Sequence, residues 1–203
     1  SGYVAGVDPD PGMLAVARTL APSVDWREGD AESLPFPHRS FDAVVSQFGL
    51  MFFADRHRAI REMLRVLAPG GRLAAAVWDS LDNSPAYAAE VALLERIAGK
   101  RAADALRAPF VLGDRRQLNQ LFEDAGIGPV DIQTHQGTGR FPSIQRMVEA
   151  DLRGWLPVMG VILPEEMIAR VLQEAESALS AYATAEGQVR FASPAHIVTA
   201  TKA

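Results

Sequence analysis

Short apolar runs alternate with helical patterns over residues 1–78, and this alternation restricts the fold more than any other feature. Buried strands are predicted at 3–7, 24–27, 41–46 and 73–77, with a helix or a turn-rich stretch after each of the first three. Strands that alternate with helices form parallel sheets with helices on their faces, joined by right-handed crossovers. The expected fold is therefore α/β, a Rossmann-like, mostly parallel sheet flanked by helices.

Local signals bound the two helices of this part. Pro11 opens a helix that runs to Leu20, because proline is tolerated in a first turn. Asp55 is the expected N-cap of the next helix, and Pro69-Gly70-Gly71 is expected to stop it before the fourth strand. That helix carries an apolar stripe at the spacing of one helix face: Ile60, Met63, Leu64 and Leu67.

The second half of the chain has a different pattern. A helix is predicted over about Pro85–Ala98, and another between Asp114 as N-cap and Gly126 just past its end. The inward face of this second helix is Leu118, Leu121, Phe122 and Ala125.

The remaining residues end in strands around a helical segment. A strand is expected over 130–134, prolonged toward Arg140, and residues 143–186 read as helical with breaks at Pro157 and Pro164. A last strand spans 188–201 with a kink at Pro194. We expect one domain over 1–203, with a helical lid or insertion at 142–186 before an antiparallel last strand.

Composition excludes several classes of function. The 203 residues include no cysteine, so disulfides, thiolate metal sites and thiol catalysis are excluded. A net charge of −5, from 20 basic and 25 acidic residues, argues against a nucleic-acid partner. No apolar run approaches the roughly 20 residues of a membrane span. A cytoplasmic protein with no membrane partner and no metal is the expectation.

Polar residues follow three predicted strands, where ligands bind in open α/β sheets. Asp8 ends the first strand, and its carboxylate can accept hydrogen bonds from both hydroxyls of a ribose. Asp30 follows the second and can accept from an adenine amine, while the N–H of Ala31 donates to a ring nitrogen. Ser46 and Gln47 end the third and could hold a charged tail. Each aspartate alone is more typical of a turn or a helix cap; their order together predicts an adenosine site.

Five segments, taken in order, resemble the type 11 class I S-adenosylmethionine-dependent methyltransferases, including the ubiquinone/menaquinone-biosynthesis type. They are residues 3–9, 29–36, 41–46, 48–50 and 65–73. The resemblance covers residues 1–78. It implies S-adenosylmethionine as cofactor and methyl transfer to a small-molecule acceptor as the activity. The residues implied as cofactor-binding are Asp8, Pro9, Asp30, Ala31, Ser46, Gln47 and Phe48. Met13 is placed either on the adenine or, as the favoured interpretation, in the core.

The same resemblance implies a first strand and a glycine-rich loop upstream of Tyr3, which this sequence does not contain. One alternative is therefore an inactive methyltransferase-like binding or assembly module that has lost its cofactor loop. A dehydrogenase using Asp8 on a nicotinamide ribose is a second alternative, disfavoured because the chain lacks a GxGxxG motif and a Tyr-Lys pair. In the family's sheet the first strand lies between the strands that end at Asp8 and at Ser46. Each unpaired N–H or C=O group buried at the two edges would cost about 1–3 kcal/mol. We therefore expect those two strands to pair directly, or to associate with another chain. Direct pairing would bring Asp8 and Ser46 together, narrow the methionine end of the cleft and weaken cofactor binding.

Catalytic and acceptor-binding residues are harder to predict. The four histidines, His38, His57, His135 and His196, are base candidates, but each reads better as a bystander, and no catalytic residue is assigned. The apolar stretch 155–163 predicts either a pocket for an apolar or aromatic acceptor or a packing surface within the protein or in a homodimer.

Overall fold

Eight strands in three sheets form the β structure of residues 2–203, the part of the chain that this computed structural model describes. The sheets are β1-β2, β3-β4-β8-β5 and β6-β7, each in hydrogen-bonded order. Their bounds are β1 Ala5–Asp8, β2 Asp25–Glu28, β3 Phe41–Gln47, β4 Leu67–Trp78, β5 Asp131–His135, β6 Thr138–Phe141, β7 Val189–Ala192 and β8 Ala195–Thr201. The pairs β1-β2 and β3-β4 are parallel and β6-β7 is antiparallel. The predicted α/β class is confirmed.

Helices connect and flank these strands. Their bounds are α1 Pro11–Leu20, α2 Arg56–Val66, α3 Pro85–Ala98, α4 Lys100–Arg107, α5 Arg115–Asp124, α6 Ile144–Ala150, α7 Leu156–Val158 and α8 Glu165–Ala178. A π-helical turn, Asp151–Trp155, joins α6 to α7. Within the described residues, every helix is too short or too polar to cross a bilayer.

Aspartate caps begin the first two helices, and the sequence predicts the second of these caps, Asp55. A side-chain oxygen of Asp10 accepts the N–H of Met13 at 2.8 Å, with Pro11 in the first turn of α1. Asp55 accepts the N–H of Arg58 at 2.9 Å at the start of α2. These bonds satisfy backbone donors that lack partners within a helix. The inward face predicted for α5 is also confirmed, since all four of its residues are buried.

The stop predicted for α2 lies at the wrong place. The helix ends at Val66, and β4 begins at Leu67 and continues through Pro69-Gly70-Gly71. Leu67 is paired with Phe41, but the next pair joins Arg72 to Ala43, so the proline–glycine segment forms an irregularity in the strand. Gly70 has a φ of +75°, a conformation that favours glycine. The two glycines thus shape a bulge instead of a helix terminus.

The single kinked strand predicted for 188–201 is also wrong, because β7 and β8 belong to different sheets on either side of Pro194. The partner of β7 is β6, so the expected prolongation of β5 toward Arg140 is a separate strand. Gly139 lies under the ring of Phe191, where an added Cβ would be 2.4 Å from a ring carbon. A glycine at this position therefore allows β6 and β7 to pair. The break expected at Pro157 is absent too, because proline is accepted in the first turn of α7.

Direct pairing of the strands that end at Asp8 and Ser46 is not found. In the described residues β1 bonds to β2 and β3 bonds to β4, in separate sheets. The two segments meet through side chains, since the Tyr3 and Phe41 rings stack with centroids 6.0 Å apart. Four of the seven residues of β3 are exposed, so water can satisfy their backbone groups. The expectation of direct pairing is wrong because it assumed a buried edge; association with another chain stays a prediction.

The chain divides into two compact units. The first comprises Ser1–Ala76, Arg116–Ile132 and Val198–Ala203, and the second comprises Val77–Arg115 and Gln133–Ile197. The core of the first unit includes Leu14, Leu50, Ile60, Met63 and Leu118. The second unit contains the whole segment 142–186. Its core is built from α3, α4, α6, α8 and β7.

Candidate functional site

Asp8 and Asp30 lie at the carboxyl ends of neighbouring parallel strands. Asp8 is paired with Glu28 at the end of β1 and β2, and Asp30 follows two residues later. The N–H of Gly29 donates to the carbonyl of Asp8 at 3.3 Å, which holds the two turns together. The structure therefore brings the residues that are predicted to bind ribose and adenine to one edge of one sheet.

Asp8 also has a local structural role. One of its carboxylate oxygens accepts the N–H of Asp10 at 2.8 Å, which closes the turn around the exposed Pro9. Asp10, and not Asp8, caps α1. The turn-former interpretation and the ligand interpretation of Asp8 are compatible, because a carboxylate has lone pairs for several donors.

The turn at Asp30 presents unpaired polar groups. Its backbone carbonyl accepts the N–H of Ser33 at 3.0 Å, but neither its carboxylate nor the N–H of Ala31 has a hydrogen-bond partner among residues 2–203. An exposed acceptor next to a free backbone donor matches the amine and ring nitrogen along one edge of adenine. These residues fit the adenosine group that the sequence predicts.

Helix α2 holds the loop that follows Asp30. The guanidinium of Arg65 donates to the carbonyls of Phe36 and Leu34 at 2.8 and 2.9 Å. Glu62 accepts the N–H of Leu34 at 2.8 Å and pairs with Arg65 at 2.7 Å. The hydrogen bonds from Arg65, and then the N–H of Leu34, hold the pKa of Glu62 below its ordinary value despite partial burial. We call Glu62 and Arg65 the loop clamp.

Sequence reasoning missed the loop clamp. The signal was present, because two opposite charges at i and i+3 lie beside the apolar stripe of α2. Such pairs commonly face water and contribute little. Only the fold shows that this one reaches a loop 28 and more residues away in sequence.

Ser46, Gln47 and Phe48 lie at the end of β3, opposite β4. Ser46 is buried, Gln47 is exposed, and the N–H of Phe48 donates to the carbonyl of Ala76 at 2.9 Å. Phe48 has a φ of +54°, a left-handed conformation that is unusual for an aromatic residue. Backbone strain of this kind concentrates at functional sites. This loop belongs to a different sheet from Asp8 and Asp30, so no backbone pairing connects it to them.

Met13 does not have the core position favoured for it. Its side chain is 60% exposed, whereas Leu14 is the buried residue of α1. The favoured core interpretation is wrong because the inward face of this helix is one residue further along.

His196 is a structural residue in the second unit. Its Nε2 lies 3.1 Å from Asp79 Oδ1 and 2.9 Å from the carbonyl of Gly113, and its Nδ1 lies 3.0 Å from the Thr134 hydroxyl. With both nitrogens engaged and 1% exposure, it cannot take a proton from a substrate in this state. His38 and His135 are exposed, and His57 lies 3.9 Å from Asp124. No histidine emerges as a catalytic base.

The apolar stretch 155–163 divides into buried and exposed residues. Leu156 and Val161 are buried in the core of the second unit, and the indole N–H of Trp155 donates to the Ala105 carbonyl at 2.9 Å. Val158 and Ile162 are 76% and 84% exposed. The stretch therefore packs within its unit and also presents apolar surface. Within the described residues no cluster of histidine and acidic side chains could hold a metal ion.

Comparison with known proteins shows which families this chain resembles. The methyltransferase domain family of type 11 matches residues 1–75. A demethylmenaquinone methyltransferase from Paenarthrobacter aurescens is 32% identical over 158 residues, 73% of this chain and 62% of the relative. The chain spans less than two thirds of the length of such curated relatives.

Solved structures support the fold. The YcgJ protein of Bacillus subtilis aligns over 98% of this chain and 82% of its own, with a TM-score of 0.60 and 19% identity. A phosphoethanolamine N-methyltransferase from Haemonchus contortus, solved with S-adenosylhomocysteine, aligns over 98% of this chain and 43% of its own, with a TM-score of 0.54 and 17% identity. These structures bear on the fold alone; the family match and the relatives at 32% identity identify the chain as a member of the type 11 family of class I S-adenosylmethionine-dependent methyltransferases.

Proposed function

We propose that this protein transfers a methyl group from S-adenosylmethionine to a small-molecule acceptor. One observation carries the proposal. Asp8, Asp30 and the free N–H of Ala31 meet at the carboxyl edge of the β1-β2 sheet, with hydrogen-bonding capacity that matches adenosine. The cofactor supplies an activated methyl group on a sulfonium.

The chain's own residues would bind and orient the cofactor. Asp8 would accept from the ribose hydroxyls, and Asp30 and Ala31 would bind the adenine. Ser46 or Gln47 would hold the methionine part, with Pro9 and Phe48 lining the site. Displacement at a sulfonium needs alignment and exclusion of water more than a strong base. This agrees with the lack of a convincing catalytic histidine.

The acceptor is proposed to be apolar or aromatic. The relatives named above include methyltransferases of demethylmenaquinone, a quinone. The exposed Val158 and Ile162 offer apolar surface in the segment 142–186, the proposed lid. An overall charge of −5 disfavours a nucleic-acid acceptor. We also propose a cytoplasmic location, and a homodimer that light scattering coupled to size exclusion would detect.

Calorimetry with S-adenosylhomocysteine tests the cofactor site. The 203-residue chain and a version extended by the first strand and glycine-rich loop of a relative are titrated in parallel. In the version that binds, Asp8→Asn keeps an oxygen for the Asp10 N–H but loses the charge, and we expect binding weaker by about 1.5–3 kcal/mol. Asp42→Asn is the control, because Asp42 is exposed in β3. If Asp8→Asn and the unsubstituted protein bind S-adenosylhomocysteine with equal affinity, Asp8 does not belong to the site. If neither version of the chain binds it, the inactive-module alternative is favoured.

A second experiment tests the role of segment 142–186. Trp155→Ala should lower turnover of a quinone-type acceptor while S-adenosylhomocysteine affinity stays the same. Equal losses of both, with a lower melting temperature, would assign Trp155 to packing alone.

A further inference from the structure

Two carboxyl groups in the second unit lack a neutralising cation. Glu90 of α3 is 0% exposed, and neither of its carboxylate oxygens has a hydrogen-bond partner; the same is true of Oδ2 of Asp151, the first residue of the π-helical turn. Neither residue forms an ion pair among residues 2–203. Isolated buried carboxylates are so costly that such groups take up a proton instead.

Glu90 and Asp151 lie within hydrogen-bond reach of each other. Two ionised carboxylates have no proton to donate, which is why their oxygens lack partners. Burial raises the pKa of both groups, that of Asp151 to about 7, and repulsion from Asp151 raises that of Glu90 further. A proton held between them would join two of the three unpaired oxygens in a hydrogen bond and remove half of the charge.

The surroundings offer no other compensation. Tyr87, one turn before Glu90, also has a raised pKa, mainly through burial and then through the two carboxyls, so it stays neutral. Asp82 and Arg190 are exposed. Arg101 of α4 is exposed and donates to the Gly160 carbonyl, and Glu166 and Glu176 of α8 are exposed. The remaining charged groups of the neighbouring helices, and of the π-helical turn, pair with one another at the surface, as Arg96–Glu174, Arg170–Glu174, Lys100–Asp104, Arg107–Asp104, Arg107–Glu95, Arg146–Glu149, Arg153–Glu149 and Arg153–Glu165.

The backbone at Asp151 is irregular as well. A π-helical turn is a costly insertion in a helix and often marks a functional position. This one carries Asp151 at its start and Trp155 at its end, and Trp155 is tied to α4 through the Ala105 carbonyl. A change at Asp151 therefore acts on the junction of α3, α4 and α6.

We propose that Glu90 and Asp151 form a proton-sharing pair that makes the packing of the second unit sensitive to pH. The unit is tightly packed while the pair holds a proton, and its packing loosens when both groups are ionised. Both groups bind protons more tightly in the folded state than in the unfolded chain. Their contribution to stability is complete below the unfolded pKa values of 3.8 and 4.5, and it is lost as pH rises through the folded values; the folded pKa is about 7 for Asp151 and well above 4.5 for Glu90.

Stability measured against pH tests the proposal. Urea unfolding of the full chain is followed from pH 5 to 9 and compared with Glu90→Gln/Asp151→Asn, which keeps the shapes but cannot ionise. Between pH 5 and 7 the folding equilibrium constant of the wild type should fall about tenfold per pH unit, relative to the variant, for each proton that the pair releases on unfolding, and therefore up to about a hundredfold when both groups release one. Glu166→Gln, an exposed carboxyl of α8, is the matched control and should follow the wild type.

If the double variant does not fold, a direct titration of the carboxyl groups in the wild-type protein tests the proposal instead. In wild-type protein labelled with ¹³C at the carboxyl groups, the resonance of Asp151 should titrate near pH 7 and that of Glu90 well above its ordinary pKa. Hydrogen exchange, corrected for intrinsic rates, should show α3 and residues 144–155 losing protection at pH 8.5 relative to pH 6.5, while α2 does not. Parallel stability curves for wild type and double variant, or carboxyl titrations all below pH 5, would overturn the proposal.

Discussion

Replacing Arg65 by methionine removes the cation of the loop clamp while keeping most of its aliphatic stem. The change deletes two charged hydrogen bonds, to the carbonyls of Phe36 and Leu34, and the bidentate pair with Glu62. Hydrogen bonds to charged groups contribute about 1.5–3 kcal/mol each when sheltered. The Arg65 side chain is 22% exposed, so solvent reduces this contribution. The free energy of unfolding should fall by about 2–4 kcal/mol.

Urea unfolding at pH 7 measures this loss. Arg61→Met is the matched control on the same helix, because Arg61 is exposed, and its effect should stay within about 0.5 kcal/mol. Arg65→Lys keeps the charge but not the planar guanidinium, so its loss of unfolding free energy should lie between those of Arg65→Met and Arg61→Met. The reasoning is refuted if Arg65→Met costs no more than Arg61→Met.

The pH dependence of the same variants separates the ion pair from packing. The pKa of Glu62 is depressed in the folded protein, so its contribution is present above the unfolded value of 4.5 and is lost as pH falls through the lower folded value. The gap between wild type and Arg65→Met should therefore shrink below about pH 4. A gap that is constant from pH 7 to pH 3 would mean that Arg65 acts through its stem.

Three further predictions concern stability and can be measured by thermal or urea unfolding. Gly139→Ala places a methyl group against the ring of Phe191 and should cost about 1–3 kcal/mol; no change would mean that β6 and β7 pair more loosely than described. Met13→Gln, at a 60% exposed site, should change stability by less than about 0.5 kcal/mol, and a larger loss would restore its core assignment. His196→Phe removes the donor to Asp79 and should cost about 2–4 kcal/mol, whereas a neutral result would contradict the buried hydrogen bonds.

Elements governed by neighbouring residues could be predicted from the sequence. The bounds of α1 and α3 agree with the prediction because proline in the first turn and caps such as Asp10 act within a few residues. The division at Pro194 could not be predicted, because the choice between two strands and one depends on which distant strand pairs with each part. The burial of Glu90 could not be predicted either, since a glutamate in a helical pattern ordinarily faces water.

The candidate site follows the same division. The sequence predicted that Asp8 and Ser46 lie at the ends of two strands and that Asp30 follows a third, because strand ends are local features. What holds the loop after Asp30 could not be predicted, because the loop clamp acts across α2.

The expected closure of β1 onto β3 failed for an instructive physical reason. A cost of about 1–3 kcal/mol was assumed for each unpaired backbone group, but this cost applies only where water is excluded. Asp42, Ala43, Val45 and Gln47 of β3 are exposed, so the backbone beside them can bond to water at little cost. An edge of this kind can persist without a partner. Since the two strand ends are not drawn together, narrowing of the methionine end no longer argues against cofactor binding, and the Asp8→Asn titration becomes the deciding measurement.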